Sequence, residues 1–172
     1  MKEIERIIEN SLVDFLKKIK KNKWVGRENE AINFFAFSNL IKRFNKSNVI
    51  LRDPAQIGIE VAVPQLRGKG KKEVRKDLVI WNKPGMTNWN KCGQPIVIME
   101  WKFRAFPKQR KKSSSYDIHW LKSFSRKNFI GYSVNIDIVK NETKIVKVCE
   151  GEDEDITKQI KGTGLIKDER RT

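Results

Sequence analysis

"PIVIMEWKF", residues 95–103, is an apolar run that carries two opposite charges one residue apart near its end. Its Ile and Val content and its length read as a β-strand. Side chains alternate across a strand, so Glu100 and Lys102 share one face while Met99, Trp101 and Phe103 share the other. A strand buried on both faces has no use for a lone charged pair, because taking charge out of water is costly. The pair therefore lies on a solvated edge or beside a partner that needs both charges.

The neighbouring segments define the sheet around this strand. "QIGIEVAVPQL" (56–66) alternates, and "EVRKDLVIW" (73–81) reads as a second strand whose apolar part begins at Asp77. The Gly- and Lys-rich stretch 67–72 would close the two into a hairpin, and "NKPGMTNWNKCGQ" (82–94) is a loop by its turn formers. Upstream, residues 3–22 place Ile4, Ile7, Ile8, Leu12, Phe15, Leu16 and Ile19 at helical spacing. A second helix, "RENEAINFFAFSNLIKRFNKS", carries the stripe Ile32, Phe35, Ala36, Leu40, Ile41 and Phe44, with Glu28 and Glu30 in its first turn. Carboxylates there also suit the helix dipole. Downstream, 113–128 reads as a helix opened by a serine cap. Residues 129–140 and 143–150 read as strands joined at Asn141-Glu142.

The expected fold is one α/β domain over 1–150, a mixed sheet flanked by helices in α-β-β-β-α-β order, with a core of about 26–140 and an extra N-terminal helix. The remainder, 151–172, is charged, lacks a strong periodicity and reads as a mobile or loosely docked tail.

Charge supplies the first functional hint. The formal net charge is +16 in 172 residues, which favours a polyanionic partner such as nucleic acid. "RGKGKKEVRK" (67–76) and "KFRAFPKQRKK" (102–112) each hold six basic residues. Within them Arg67, Lys69, Lys71, Lys72, Arg104, Lys108, Arg110, Lys111 and Lys112 are the candidate phosphate contacts. Two cysteines 57 positions apart and one histidine give neither a disulfide framework nor a cysteine–histidine zinc site. With no long apolar run and no signal-like N-terminus, the expectation is a cytoplasmic protein without a membrane role.

Asp77 and Glu100 each interrupt an apolar strand, and Glu28 or Glu30 heads the helix before the sheet. Two buried carboxylates brought together repel unless a cation neutralises them. Asp77 and Glu100 on adjacent strands would share a Mg²⁺, which takes oxygen ligands and keeps its own waters. Lys102, on the face of Glu100, would reach the phosphate under attack. Glu-x-Lys is a weak motif by itself, since "ETK" at 142–144 also matches it.

The joint arrangement of helix-Glu, "KDLVIW" and "IVIMEWKF" resembles the core of the PD-(D/E)XK nuclease superfamily, whose fold many restriction endonucleases and Holliday junction resolvases share. The likeness spans roughly residues 26–140 and rests on short motifs; Lys76 stands where the superfamily often has proline. The resemblance implies Mg²⁺ or Mn²⁺ on Asp77 and Glu100, Lys102 assisting phosphodiester hydrolysis in DNA, and Glu28 completing the site. "RENEAINFF" is similar to a resolvase helix start, which favours Glu28 over Glu30. It also admits a homodimer, as many nucleases of this fold form. The competing expectation is a non-catalytic basic nucleic-acid-binding protein in which Glu100 and Lys102 pair with each other. His119 reads as a surface or packing residue, Glu60 as a lysine partner or a further carboxylate near the metal, and the tryptophans mainly as core, with Trp89 the exception in its loop.

Overall fold

The computed structural model describes residues 2–21, 26–45, 50–64, 73–84, 95–109, 113–124 and 129–162. Its elements run α1 (Lys2–Lys21), α2 (Glu28–Phe35), β1 (Ile57–Pro64), β2 (Glu73–Trp81), β3 (Pro95–Arg104), α3 (Ser115–Phe124), β4 (Ile130–Asp137), β5 (Glu142–Cys149), β6 (Glu152–Asp155) and α4 (Thr157–Gly162). The strands form one sheet in the order β1-β2-β3-β4-β5-β6. Every neighbouring pair is antiparallel except β3–β4, which is parallel. Parallel neighbours need a crossover, and α3 supplies it. No helix among the described residues is long and apolar enough to cross a membrane.

Helix α1 buries all seven apolar positions that its spacing predicts. Glu3 and Glu5 in its first turn and Lys18, Lys20 and Lys21 in its last complement the helix dipole. The second helix departs from expectation. It is α-helical only to Phe35, continues as a π-turn over Ala36–Leu40 and tightens to a 3₁₀ turn at Ile41–Arg43. Asn39 is buried in that turn; its amide donates to the Phe34 carbonyl (3.2 Å) and accepts from Lys18 Nζ (2.8 Å). Lys18 also donates to the Ser38 carbonyl (3.1 Å). A polar side chain turned inward and paired with α1 accounts for the widened turn. Ile32, Phe35, Ala36 and Leu40 are buried as expected, while Ile41 and Phe44 are half-buried.

Two apolar clusters cover the two sheet faces. α1 and α2 pack with Leu78, Ile80, Val97, Met99, Trp101, Phe103, Tyr132 and Val134. On the other face, Trp120, Leu121 and Phe124 of α3 pack with Val63, Val79, Trp81, Ile98 and Val148. Trp101 sits between the rings of Phe15 and Phe35, with centroids 5.5 and 5.1 Å away.

The strand alternation breaks in β1 and β2 together. Ile57 and Ile59 of β1 pack on the α1–α2 side, whereas Val61 and Val63 pack on the α3 side. In β2, Val74 is on the α3 side while Leu78 and Ile80 are on the other. The switch falls at Glu60, with φ 54°, and at Asp77, the residue that would face it. A residue in the left-handed region rotates the chain out of the normal pleat.

The segment read as a tail begins instead with β6 and α4. The edge strand Glu152–Asp155 is exposed throughout, so it lacks an apolar face that a periodicity could reveal. Ile156 and Ile160 behind it are buried in the main core. Asp155 caps α4 by accepting from Thr157 N (3.0 Å), and Thr157 Oγ1 accepts from Ile145 N (2.8 Å). Lys147 joins this end to the beginning of the chain through Glu154 (3.1 Å) and Glu5 (3.5 Å). Residues 163–172 lie outside the described residues, as do the hairpin turn 67–72 and most of the loop 82–94.

Helix α3 lies close against β4 at Gly131, where an added Cβ would come 2.9 Å from Leu121 Cδ2 and 3.1 Å from Leu121 Cβ. Gly131→Ala should therefore destabilise the protein by about 1–3 kcal/mol. Urea denaturation will show this as a lowered midpoint, and Leu121→Ala in the same chain should recover part of the Gly131→Ala penalty.

Candidate active site

The ladder between β2 and β3 runs only as far as Leu78↔Met99. Beyond that pair β2 stays with β1, while β3 from Glu100 to Arg104 stays with β4. The two central strands thus fork. The β3 amides released by the fork find carboxylates: Trp101 N donates to Asp77 Oδ2 (2.6 Å) and Phe103 N donates to Glu28 Oε2 (3.0 Å). Buried backbone donors must be satisfied, and here acidic side chains take the place of a partner strand.

Glu100 extends from the same fork on the side of α3. Its carboxyl lies within hydrogen-bonding reach of Asp77, and its Oε1 pairs with Lys76 Nζ. Burial is the main cause that pushes Glu100 up to about 7, with the Asp77 charge adding to it and Lys76 opposing it. Burial also raises Asp77, although the Trp101 amide, Lys102 and Glu100 partly offset it. Two carboxyl groups that both resist ionisation share one small space.

Lys102 Nζ forms an ion pair with Asp117 Oδ2 (3.0 Å) and donates to the Trp101 carbonyl (2.9 Å). Burial disfavours its charge, but Asp117 and then Asp77 and Glu100 outweigh burial and hold its pKa above the usual lysine value. Lys102 is thus a standing cation and not a proton acceptor at neutral pH. Asp117 occupies the first turn of α3, behind a cap in which Ser113 Oγ accepts from Ser115 N (3.2 Å).

All four residues expected at the catalytic centre meet at the fork: Glu28 through Phe103 N, Asp77 through Trp101 N, and Glu100 and Lys102 on the α3 side. Between the two helix glutamates, the geometry selects Glu28; Glu30 is exposed and closes its own helix start by accepting from Arg27 N (2.8 Å). Two charged residues at the fork were not anticipated. Lys76 is 4% exposed, with Nζ 3.6 Å from the Trp120 ring centroid, and Asp117 is 9% exposed. Their signal in the sequence was thin: Lys76 directly precedes Asp77, and Asp117 stands on a helix with one weak apolar face. The ion pairs are Glu100–Lys76 and Lys102–Asp117 rather than Glu100–Lys102.

Of the candidate phosphate contacts, Lys108 is exposed. Arg104 is held by Asp137 (2.9 Å) and by the carbonyls of Pro107 (2.8 Å) and Gln109 (2.9 Å). Arg67, Lys69, Lys71, Lys72, Arg110, Lys111 and Lys112 lie outside the described residues, as does Trp89. Trp81, Trp101 and Trp120 are buried, so they offer no stacking surface. His119 and Glu60 are exposed, and Glu60 stands opposite Asp77 between β1 and β2. A cleft of about 620 Å³ adjoins the site, lined by Ser113, Ser114, Asn135, Asp137, Glu142, Thr143 and Lys144. Asn135 is the register partner of Lys102.

Among the described residues no group of three or more His, Cys, Asp or Glu side chains is arranged to hold a metal ion. Asp77 and Glu100 are two adjacent carboxyl groups, both hard oxygen donors whose charge burial disfavours. That set fits a small divalent cation that retains most of its waters. It does not fit a fully protein-ligated ion. Comparison with protein-family models, with curated proteins and with solved structures finds no match to this chain.

The Glu100 shift makes a stability prediction for the protein in chelator. A carboxyl raised from 4.5 to about 7 stabilises the fold fully below its unfolded pKa and loses that contribution as pH rises through 7. The loss is on the order of 3 kcal/mol. Urea denaturation should show a less stable protein at pH 8 than at pH 5, and Glu100→Gln should flatten most of that slope.

Proposed function

We propose that the protein is a divalent-metal-dependent endonuclease of the PD-(D/E)XK kind, hydrolysing phosphodiester bonds in DNA with Mg²⁺ or Mn²⁺. The observation that carries this reading is the meeting of Asp77 and Glu100 where two central strands part, with a charged lysine one alternate position along β3. The element order α2-β1-β2-β3-α3-β4 agrees with the order expected from the resemblance.

In this reading Asp77 and Glu100 are the residues that would hold the ion. When bound, the ion would supply a water of lowered pKa and would stabilise charge on the phosphoryl oxygens. Lys102, kept protonated by Asp117, adds positive charge at the phosphate where negative charge develops. Asp117 fixes the ammonium, and Glu28 fixes the backbone of β3 by accepting from Phe103 N. The basic flanks, exposed Lys108 among them, hold the nucleic-acid backbone with the salt sensitivity that counterion release imposes.

One observation favours a second reading, a basic nucleic-acid-binding protein without catalysis. Lys76 and Lys102 already neutralise Glu100 and Asp117, so the cluster is also a satisfied buried network.

Plasmid cleavage with Mg²⁺ or Mn²⁺ separates the two readings. Asp77→Asn and Lys102→Ala should each lower the rate by about a hundredfold or more, while salt-sensitive DNA binding persists. Cleavage that both variants leave unchanged would remove the proposed site; tight binding with no cleavage of any DNA or RNA form would leave the binding protein.

A further inference from the structure

The fork holds a cation that the proposed chemistry does not use. Lys76 is buried, and the face switch at Asp77 delivers it to the α3 side of the sheet. Its ammonium bonds to Glu100 Oε1 and lies 3.6 Å from the centroid of the Trp120 ring. Trp120 is itself fixed by stacking on Phe124, with centroids 4.9 Å apart. An indole face and a carboxylate together make a seat for one positive charge in a place where water cannot compensate it. Lys102 pairs with Asp117, so among the described residues Lys76 is the cation on Glu100.

We propose that Lys76 is a built-in counter-cation, which occupies Glu100 in the absence of a metal ion and must leave its seat for a divalent ion to bind there. The inference rests on the reading of Asp77 and Glu100 as ion ligands. A divalent ion on the Glu100 carboxylate and an ammonium on the same carboxylate repel strongly in a buried site, so the two occupants exclude each other. Lys76 is then a positioning residue. It keeps Glu100 oriented and compensated in the empty site, and it sets the concentration at which an ion takes over. Its four-carbon stem lets the ammonium swing away without moving β2.

Mn²⁺ affinity, followed by the loss of the free-ion electron paramagnetic resonance signal at pH 8, tests this directly. Lys76→Met should bind Mn²⁺ about tenfold more tightly than the wild type. Lys76→Arg, which restores both the charge and the ring contact, should return to within about twofold of the wild type. Mg²⁺ should also change the tryptophan emission of the wild type as the ammonium leaves Trp120, and should leave that of Lys76→Met unchanged. If Lys76→Met fails to fold, Trp120→Leu weakens the same seat and should tighten Mn²⁺ binding in the same direction. Equal or weaker binding by Lys76→Met, with wild-type binding still abolished by Asp77→Asn, overturns the counter-cation alone. No Mn²⁺ binding by any variant overturns both the counter-cation and the metal site beneath it.

Discussion

The Trp101 amide bonded to the Asp77 carboxylate is the contact on which the rest of the site depends. A sheet normally satisfies such an amide with the carbonyl of the next strand, which keeps the two strands parallel in space and leaves no room between them. A carboxylate is a charged acceptor on a side chain, so it satisfies the donor while the backbone that bears it diverges. Glu28 does the same for Phe103 from the start of α2. The fork is therefore stable without a partner strand, and its apex collects acidic groups because acidic groups are what close its hydrogen bonds.

The rest of the architecture supports that apex. The aromatic cluster of Phe15, Phe35 and Trp101 anchors one side of β3, so the opposite side must present Glu100 and Lys102 toward α3. Helix α3 can approach closely because Gly131 has no side chain beneath Leu121. That approach brings Asp117 to Lys102 and Trp120 to Lys76. The left-handed backbone at Glu60 and the matching switch at Asp77 decide that Lys76 joins the α3 side instead of the α1 side. Each of these contacts joins residues far apart in the chain.

Packing and chemistry pull in opposite directions at the fork. Asp77 and Glu100 are raised by burial, which works against the ionised form that a cation needs. Two lysines and several hydrogen bonds offset the cost without removing it. Active sites commonly keep groups whose charge the surroundings resist. A purely structural network gains little from such an arrangement, since well-packed apolar residues of similar volume often serve stability as well.

The amino-acid sequence by itself determined most of the scaffold and pointed to Glu28, Asp77, Glu100 and Lys102 but not to Lys76 and Asp117. The strands, α1 and α3 follow from local periodicity, and Asp77, Glu100 and Lys102 stand out because each interrupts or closes an apolar run. Their meeting point and the pairing of Glu100 with Lys76 and Lys102 with Asp117 belong to the tertiary structure alone. So do the π-turn at Ala36–Leu40, where a buried Asn39 answers to Lys18 on another helix, and the last strand and helix, where an all-charged edge hides the two isoleucines that dock it. The physical reason is the same in each case. Periodicity records which face of an element is buried, whereas hydrogen bonds and ion pairs between distant elements leave no local pattern to read.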